Sequence, residues 1–253
     1  MAADADPGQR VKGASPARDR LATAALQTFA YQGYQGASTR DICAAAGMNN
    51  ASIHYHFGDK AGLYRELYRR ALETYRATMR AADIGTHQGR AALLAYHGAV
   101  LRMHSDESFA PLAQLHLREE SHPSGIVDDL RPRSMELLFE FIGGLVLREL
   151  GLEVMDRELR RLVLTLHGTG LVYVVKRQGI AEAVDGLLDG PGQLDELVEH
   201  LADMGMAMIE AERRRRATPP AGWQPVVPLV SPEVVPAVAK SLSSENSPGR
   251  RTP

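Results

Sequence analysis

Asn50, Ala51, Ser52, His54, Tyr55 and His56 form a compact run of small or planar side chains, rich in hydrogen-bonding groups and almost free of formal charge. Groups of this kind suit recognition of base edges. The DNA major groove is only about 12 Å wide, and each base pair presents its own pattern of donors and acceptors there. Hydroxyls at Tyr34, Ser38 and Thr39 and the ammonium of Lys60 flank the run and are suited to phosphate oxygens. Chemistry that makes or breaks bonds is poorly represented. Among the nine histidines, His116 with Glu119 or Glu120 and then His122 give one conceivable ligand set, without an HExxH motif or a cysteine pair. Gly168-x-Gly170 falls within a helical pattern, so it is no phosphate loop. No catalytic residue, metal or cofactor is expected.

The elements that must position the recognition run read directly from local signals. Ser38 is a good N-cap, with Asp41 three residues on, and the first short helix runs to about Ala46. Gly47 permits the tight turn, and Asn49 or Asn50 caps the next helix. Ile53 and Phe57 lie four apart and point inward, which turns Asn50, Ala51, Ser52, His54, Tyr55 and His56 to the other side. Two short helices joined through a glycine are the shape of a helix-turn-helix, whose second helix enters the major groove. On geometry alone, an ordinary helical hairpin in an all-α domain stays open. A preceding helix over 17–32, with Leu21, Ala25 and Phe29 on one face and Gly33 ending it, braces the pair. Asp59 caps a fourth helix from Lys60 to about Ala82. Lys60 in its first turn opposes the helix dipole, which points to a phosphate partner. Ala61 and Gly62 predict a weak first turn there.

Phe29, Gly33, Thr39, Ile42, Ala45, Gly47, Ile53, Tyr55, His56, Phe57, Lys60, Leu63 and Tyr64 together resemble the N-terminal domain of the tetracycline-repressor (TetR) family, with His54 in the usual first aromatic place. The stretch at 115–125, LHLREESHPSG, followed by Arg131-Pro132, is similar to the regulatory domain of CecR-type members. The resemblance implies an all-α protein: a three-helix helix-turn-helix domain and a helical ligand-binding and dimerisation domain. It implies DNA contacts from Tyr34, Ser38, Thr39, Asn49, Asn50, Ala51, Ser52, His54, Tyr55, His56 and Lys60.

Charge distribution agrees. The net charge is −2, but residues 10–70 carry nine Lys and Arg against four Asp and Glu, whereas 71–253 carry twenty against twenty-five. A basic N-terminal module with an acidic remainder fits one end facing phosphates. The single cysteine, Cys43, allows no intrachain disulfide, consistent with a reducing cytoplasm, and reads as a small buried helix residue. No apolar run approaches the ~18 residues of a membrane span, so no membrane partner is expected.

The chain divides into a basic arm at 1–16, the helix-turn-helix domain at 17–64, a helical regulatory domain at 65–216 and a Pro-rich tail at 217–253. Arg10, Lys12, Arg18 and Arg20 are either phosphate contacts or solvated tail. Helices are expected over 88–104, 106–120, 126–150 (Met135, Leu138, Phe139, Ile142, Val146 and Leu150 inward), 156–177 and 192–216. Gly168 and Gly170 are costly within a helix unless another helix approaches closely. The family resemblance pairs the last two helices with a second subunit through Leu159, Val163, Leu166, Gly170, Leu197, Leu201, Met204 and Met208; closure of the protomer's own core is the other option. It also implies an apolar pocket, for which Leu101, Met103, His104, Phe109, Leu112, Leu115, Arg118, Phe139, His167 and Tyr173 are candidates. A buried Arg118 would need an anionic partner, either Glu119, Glu120 or an acidic ligand. Arg213–Arg216 reads as a solvated C-terminal turn or a nucleic-acid patch. The expected whole is a homodimeric regulator, most plainly a repressor, that binds a palindromic double-stranded operator and responds to an unknown small apolar or amphipathic effector. The alternative is a helical binding module acting through partner contacts of its Pro-rich tail.

Overall fold

A computed structural model describes residues 15–184, 186–188 and 190–219. The arm residues Arg10 and Lys12 and nearly all of the Pro-rich tail lie outside them. The described residues form helices and no strand: α1 (Pro16–Gly36), α2 (Thr39–Ala45), α3 (Ala51–Phe57), α4 (Lys60–Ala81), α5 (Gly89–Ser105), α6 (Ala110–Ser121), α7 (Pro132–Leu138), a π-helical turn (Phe139–Gly143), α8 (Gly144–Leu150), α9 (Arg157–Val175), α10 (Arg177–Ala183) and α11 (Gln193–Ala217). No helix among the described residues is long and apolar enough to cross a membrane.

The chain clusters into two compact units. One holds the residues up to Ala71 together with Pro111–Asp128; the other holds Leu72–Ala110 and the residues from Asp129 onward. The division expected near residue 64 therefore moves down α4, and most of α6 belongs with the helix-turn-helix. Sequence separation hides this, because the contacts responsible join residues more than fifty positions apart, such as Tyr64 with Glu119.

In the first unit, Leu21, Ala25, Phe29, Ile42, Cys43, Ile53, Leu63 and Leu67 are essentially inaccessible. Each large apolar side chain buried there contributes about 1.5–3 kcal/mol. Capping works as the residue types dictate. The Ser15 hydroxyl accepts from the Arg18 amide, the Ser38 hydroxyl from Asp41 and the Asp59 carboxylate from Gly62. Gly33 interrupts α1 at φ +73°. Gly62 is required rather than weakening: a Cβ there would stand 2.1 Å from the Phe57 carbonyl oxygen, so only glycine lets α4 start this close to the end of α3.

The second unit has its core among Leu93, Tyr96, Val100, Ile142, Leu145, Val146, Leu159, Val163, Leu166, Ala202 and Ile209. The helix expected from 126 begins at Pro132 and takes a π turn at Phe139. Beyond the start of that turn Ile142, Leu145 and Val146, at i, i+3 and i+4, face inward together. Met135 is 39% exposed rather than inward. Gly170 allows close approach as expected, since a Cβ would lie 3.2 Å from His97 Nδ1, but nothing stands within 4 Å of Gly168. Arg213–Arg216 is solvated only in part, with Arg213 and Arg214 exposed and Arg215 and Arg216 half-buried. Arg216 bridges Asp156 (2.7 Å) and Glu212 (2.7 Å), Arg215 also reaches Glu158, and Arg213 donates to the Glu149 carbonyl. Asp156 in turn caps α9. The short α10 was not expected; it buries no residue and so gives no apolar periodicity to read.

Alanine is favoured over glycine by about 1 kcal/mol inside a helix. Gly62→Ala is nevertheless expected to destabilise the protein by about 1–3 kcal/mol through the Phe57 clash, seen as a lower urea midpoint at unchanged slope.

Candidate nucleic-acid interface

The recognition run occupies α3, and the backbone sets its orientation. Gly47 takes φ +66° between α2 and α3. Ile53 is 1% exposed, while Asn49, Asn50, Ala51, His54 and Tyr55 are exposed and Ser52 and His56 half-buried. Tyr55 is 82% exposed, an unusual setting for a large aromatic ring, and stands edge-on to His56 at 4.8 Å. Asn49, not Asn50, makes the local side-chain bond, accepting the Ser52 hydroxyl at 3.1 Å. Asn50 makes no capping bond and leaves its amide outward. His54 is partly committed: Nδ1–H donates to the Gly58 carbonyl at 2.7 Å, which closes the end of α3 and leaves Nε2 as its outward group.

Two of the flanking candidates for phosphate contact, Lys60 and Tyr34, come together through aromatic packing. Lys60 Nζ lies 4.4 Å from the centre of the Tyr34 ring. Tyr34 meets Tyr64 at 5.2 Å and Phe29 at 6.2 Å, and Tyr64 meets Phe29 edge-on at 4.9 Å. A cation over an aromatic face gains about 0.5–1 kcal/mol at an exposed site, which offsets its unfavourable place in the first turn of α4. Burial lowers the Lys60 ammonium from its ordinary value. Burial, with Asp59 second, raises the Tyr34 phenol. Ser38 and Thr39 stand half-buried at the start of α2.

Arg18 is not part of a reaching arm. It pairs with Glu66 at 3.0 Å and lies 4.8 Å over the Phe57 ring, bracing α3 from α1. Burial works against ionisation of Glu66, but the guanidiniums of Arg18 and Arg70 outweigh it and hold the carboxyl below its usual range. Arg40, exposed beside Thr39 on the first turn of α2, is a cation missed in the sequence; its place in that turn, next to a candidate phosphate contact, was the available signal.

The ten candidate pocket residues do not share one compact unit. Leu112, Leu115 and Arg118 belong to the first; Leu101, Met103, His104, Phe109, Phe139, His167 and Tyr173 belong to the second. Arg118 takes neither Glu119 nor Glu120. It donates to the Tyr31 carbonyl at 3.3 Å and packs against Gly33. His116 stacks on Tyr68 and stands 3.8 Å from Glu120. In the second unit, His104 lies edge-on to Phe109 at 5.5 Å, and Tyr96 and His167 Nδ1 share a hydrogen bond of 2.8 Å. Six of the eight residues expected between subunits are interior to the protomer: Leu159, Val163, Leu166, Gly170, Leu197 and Leu201. Only Met204 is exposed, with Met208 half-buried. The helical phase is off by one step, because the side chains nearest the heptad seam fill the single chain's own core first. The apolar positions left outside on α9 are Leu164, Val172 and Val175, in line with the open Gly168.

A glycine-turned pair of short helices with an uncharged outward face, braced by α1 and flanked by supported cations, defines a helix-turn-helix DNA-binding head. Comparison with known proteins places it further. Residues 21–67 match the model of the bacterial regulatory proteins of the tetR family. Residues 90–211 match that of the C-terminal domain of the HTH-type transcriptional dual regulator CecR. The N-terminal match is to the TetR family's own model, and the two matches together cover most of the described residues. It is 33% identical over 79 residues to the probable HTH-type transcriptional regulator YttP of Bacillus subtilis, covering 30% of this chain and 38% of that protein. It is 30% identical over 74 residues to RutR of Escherichia coli K12, covering 29% and 35%. The alignments thus span little more than a third of these curated relatives. A TetR-family transcriptional regulator from Bordetella parapertussis shares the fold, with a TM-score of 0.58 at 16% identity over 76% of this chain and 95% of that one.

Inside the second unit, burial, with the neighbouring His167 second, drives the His97 imidazole down to about 4. The unfolded chain takes up this proton near pH 6.5, the native protein only near 4. Stability is therefore full above pH 6.5 and falls as pH drops toward 4, by up to about 3 kcal/mol from this residue. Urea midpoints at pH 7 and pH 5 are expected to differ clearly in the wild type and less in His97→Phe.

Proposed function

We propose that this protein is a homodimeric, ligand-responsive transcriptional repressor that reads a roughly palindromic operator with one α3 in each of two successive major grooves. The observation that carries this is the outward face of α3, where exposed Asn50, Ala51, His54 and Tyr55 present hydrogen-bonding and planar groups without charge. Asn50, Ser52, His54 and Tyr55 read bases, with Asn49 and His56 beside them. Lys60, Tyr34, Ser38, Thr39 and Arg40 hold phosphates. Because the reading face has no formal charge of its own, affinity comes from the flanking cations and from dimeric pairing.

The subunits meet through the outward apolar stripe of α9, Leu164, Gly168, Val172 and Val175, and through Met204 of α11. A small apolar or amphipathic effector binds among the second unit's residues. It releases DNA only to the extent that it prefers the conformation with low DNA affinity. Duplex DNA from beside the protein's own gene is the direct test: no preference over random duplex at moderate salt removes this function.

Lys60→Ala is expected to weaken binding to operator and random DNA alike, whereas Asn50→Ala relaxes the preference at one base step by about 1–3 kcal/mol. Competition binding with single-step operator variants separates the two. Val172→Glu lies on the surface of the protomer, so it is expected to leave the fold intact while converting dimers to monomers by sedimentation velocity and lowering operator affinity.

A further inference from the structure

The aromatic mounting of Lys60 is anchored at its far end by a carboxylate distant in sequence. Glu119 on α6 is 1% exposed. It accepts the Tyr64 hydroxyl at 2.7 Å, the Ser124 amide at 2.8 Å and the Ser124 hydroxyl at 3.1 Å. Ser124 Oγ accepts in turn from the Ile126 amide, and Arg65 of α4 donates to the Ile126 carbonyl at 2.7 Å, so the 122–128 loop is closed onto α4. Burying a carboxylate is costly, and well-packed apolar replacements of buried polar groups are often no less stable. Stability therefore gives little reason for a carboxylate here. Its geometry gives another reason.

Tyr64 stands one helical turn after Lys60 on α4, and its ring is the edge against which Tyr34 rests. Its hydroxyl is the only polar handle that can fix how the ring lies between Phe29 and Tyr34, and Glu119 holds that handle. Tyr34 in turn supports the Lys60 ammonium.

We infer that Glu119 is a positioning residue for DNA binding, which sets the phosphate grip of Lys60 and Tyr34 through the hydrogen-bonded Tyr64 ring. The inference rests on Lys60 meeting a phosphate, as proposed above. It makes the 111–128 segment a working part of the DNA-binding head, although it lies outside the helix-turn-helix in sequence.

The test measures affinity of the full chain for its upstream duplex and for a random duplex across a salt series, with melting temperatures in parallel. Loss of one phosphate contact lowers the slope of log K against log salt by about 0.9 for each bound protomer. Glu119→Gln is expected to weaken both duplexes several-fold and to reduce the slope as Lys60→Ala does. The double variant is expected to bind no worse than Lys60→Ala alone. A purely structural carboxylate would lower the melting temperature and leave the slope at its wild-type value, which overturns the inference, as does full additivity with Lys60→Ala. If Lys60→Ala itself leaves the slope unchanged, the phosphate role of Lys60 fails and the inference falls with it. If only Glu119→Gln leaves it unchanged, the role of Lys60 stands and the inference alone is lost. Should Glu119→Gln melt below the assay temperature, Tyr64→Phe removes a single hydroxyl and is read by the same criteria.

Discussion

A helix of seven residues that fully buries one side chain cannot hold its own shape in water. Its nucleation cost exceeds what so few hydrogen bonds return. The recognition helix α3 is such a helix, with Ile53 as its one inaccessible residue. Everything else in the first unit follows from the need to hold it from outside. Ile53 docks it, the Arg18 guanidinium covers Phe57, His54 closes its last turn on Gly58, and Gly62 lets α4 begin directly beneath the Phe57 carbonyl. Apart from His54, this external support leaves the outward face little structural duty, so it can be composed of groups suited to hydrogen bonding with bases.

The same division explains where charge is placed. A reading face without formal charge discriminates between bases but attracts no DNA. The cations sit instead on neighbouring helices, Lys60 on α4, restrained by its packing on the Tyr34 ring, and the exposed Arg40 on α2. Lys60 loses hydration on the Tyr34 ring, yet the ring's face compensates the ammonium and fixes its position. Arg18, similar in sequence to a phosphate-seeking arm residue, is spent on Glu66 and Phe57.

In the second unit the competing demand is the protomer's own core. Two long amphipathic helices can use an apolar stripe either within one chain or against another copy. Here the deeper stripe of α9, Leu159, Val163 and Leu166, is consumed internally at zero exposure. What remains outward is a second, thinner row one step around the helix. The ion network of Asp156, Glu212, Arg215 and Arg216 fastens the end of α11 to the start of α9, which fixes that row's geometry.

Local chemistry determined much from the sequence alone. The caps at Ser38 and Asp59, the turn at Gly47, the inward Ile53 and outward Asn50, and the existence of most helices were legible because each depends on residues within one or two turns. The family likeness was legible for the same reason, since its motif is one continuous stretch. Tertiary structure decided the rest. It decided that Gly62 answers a close approach instead of weakening a turn, that Met135 faces out before a π turn, and that α9 presents Leu164 and Val172 to the surface. It also decided that α6 and its loop belong to the DNA-binding head through Glu119. Each of these depends on a partner many residues away or on the phase of a helix against a neighbour, and periodicity within one segment carries neither.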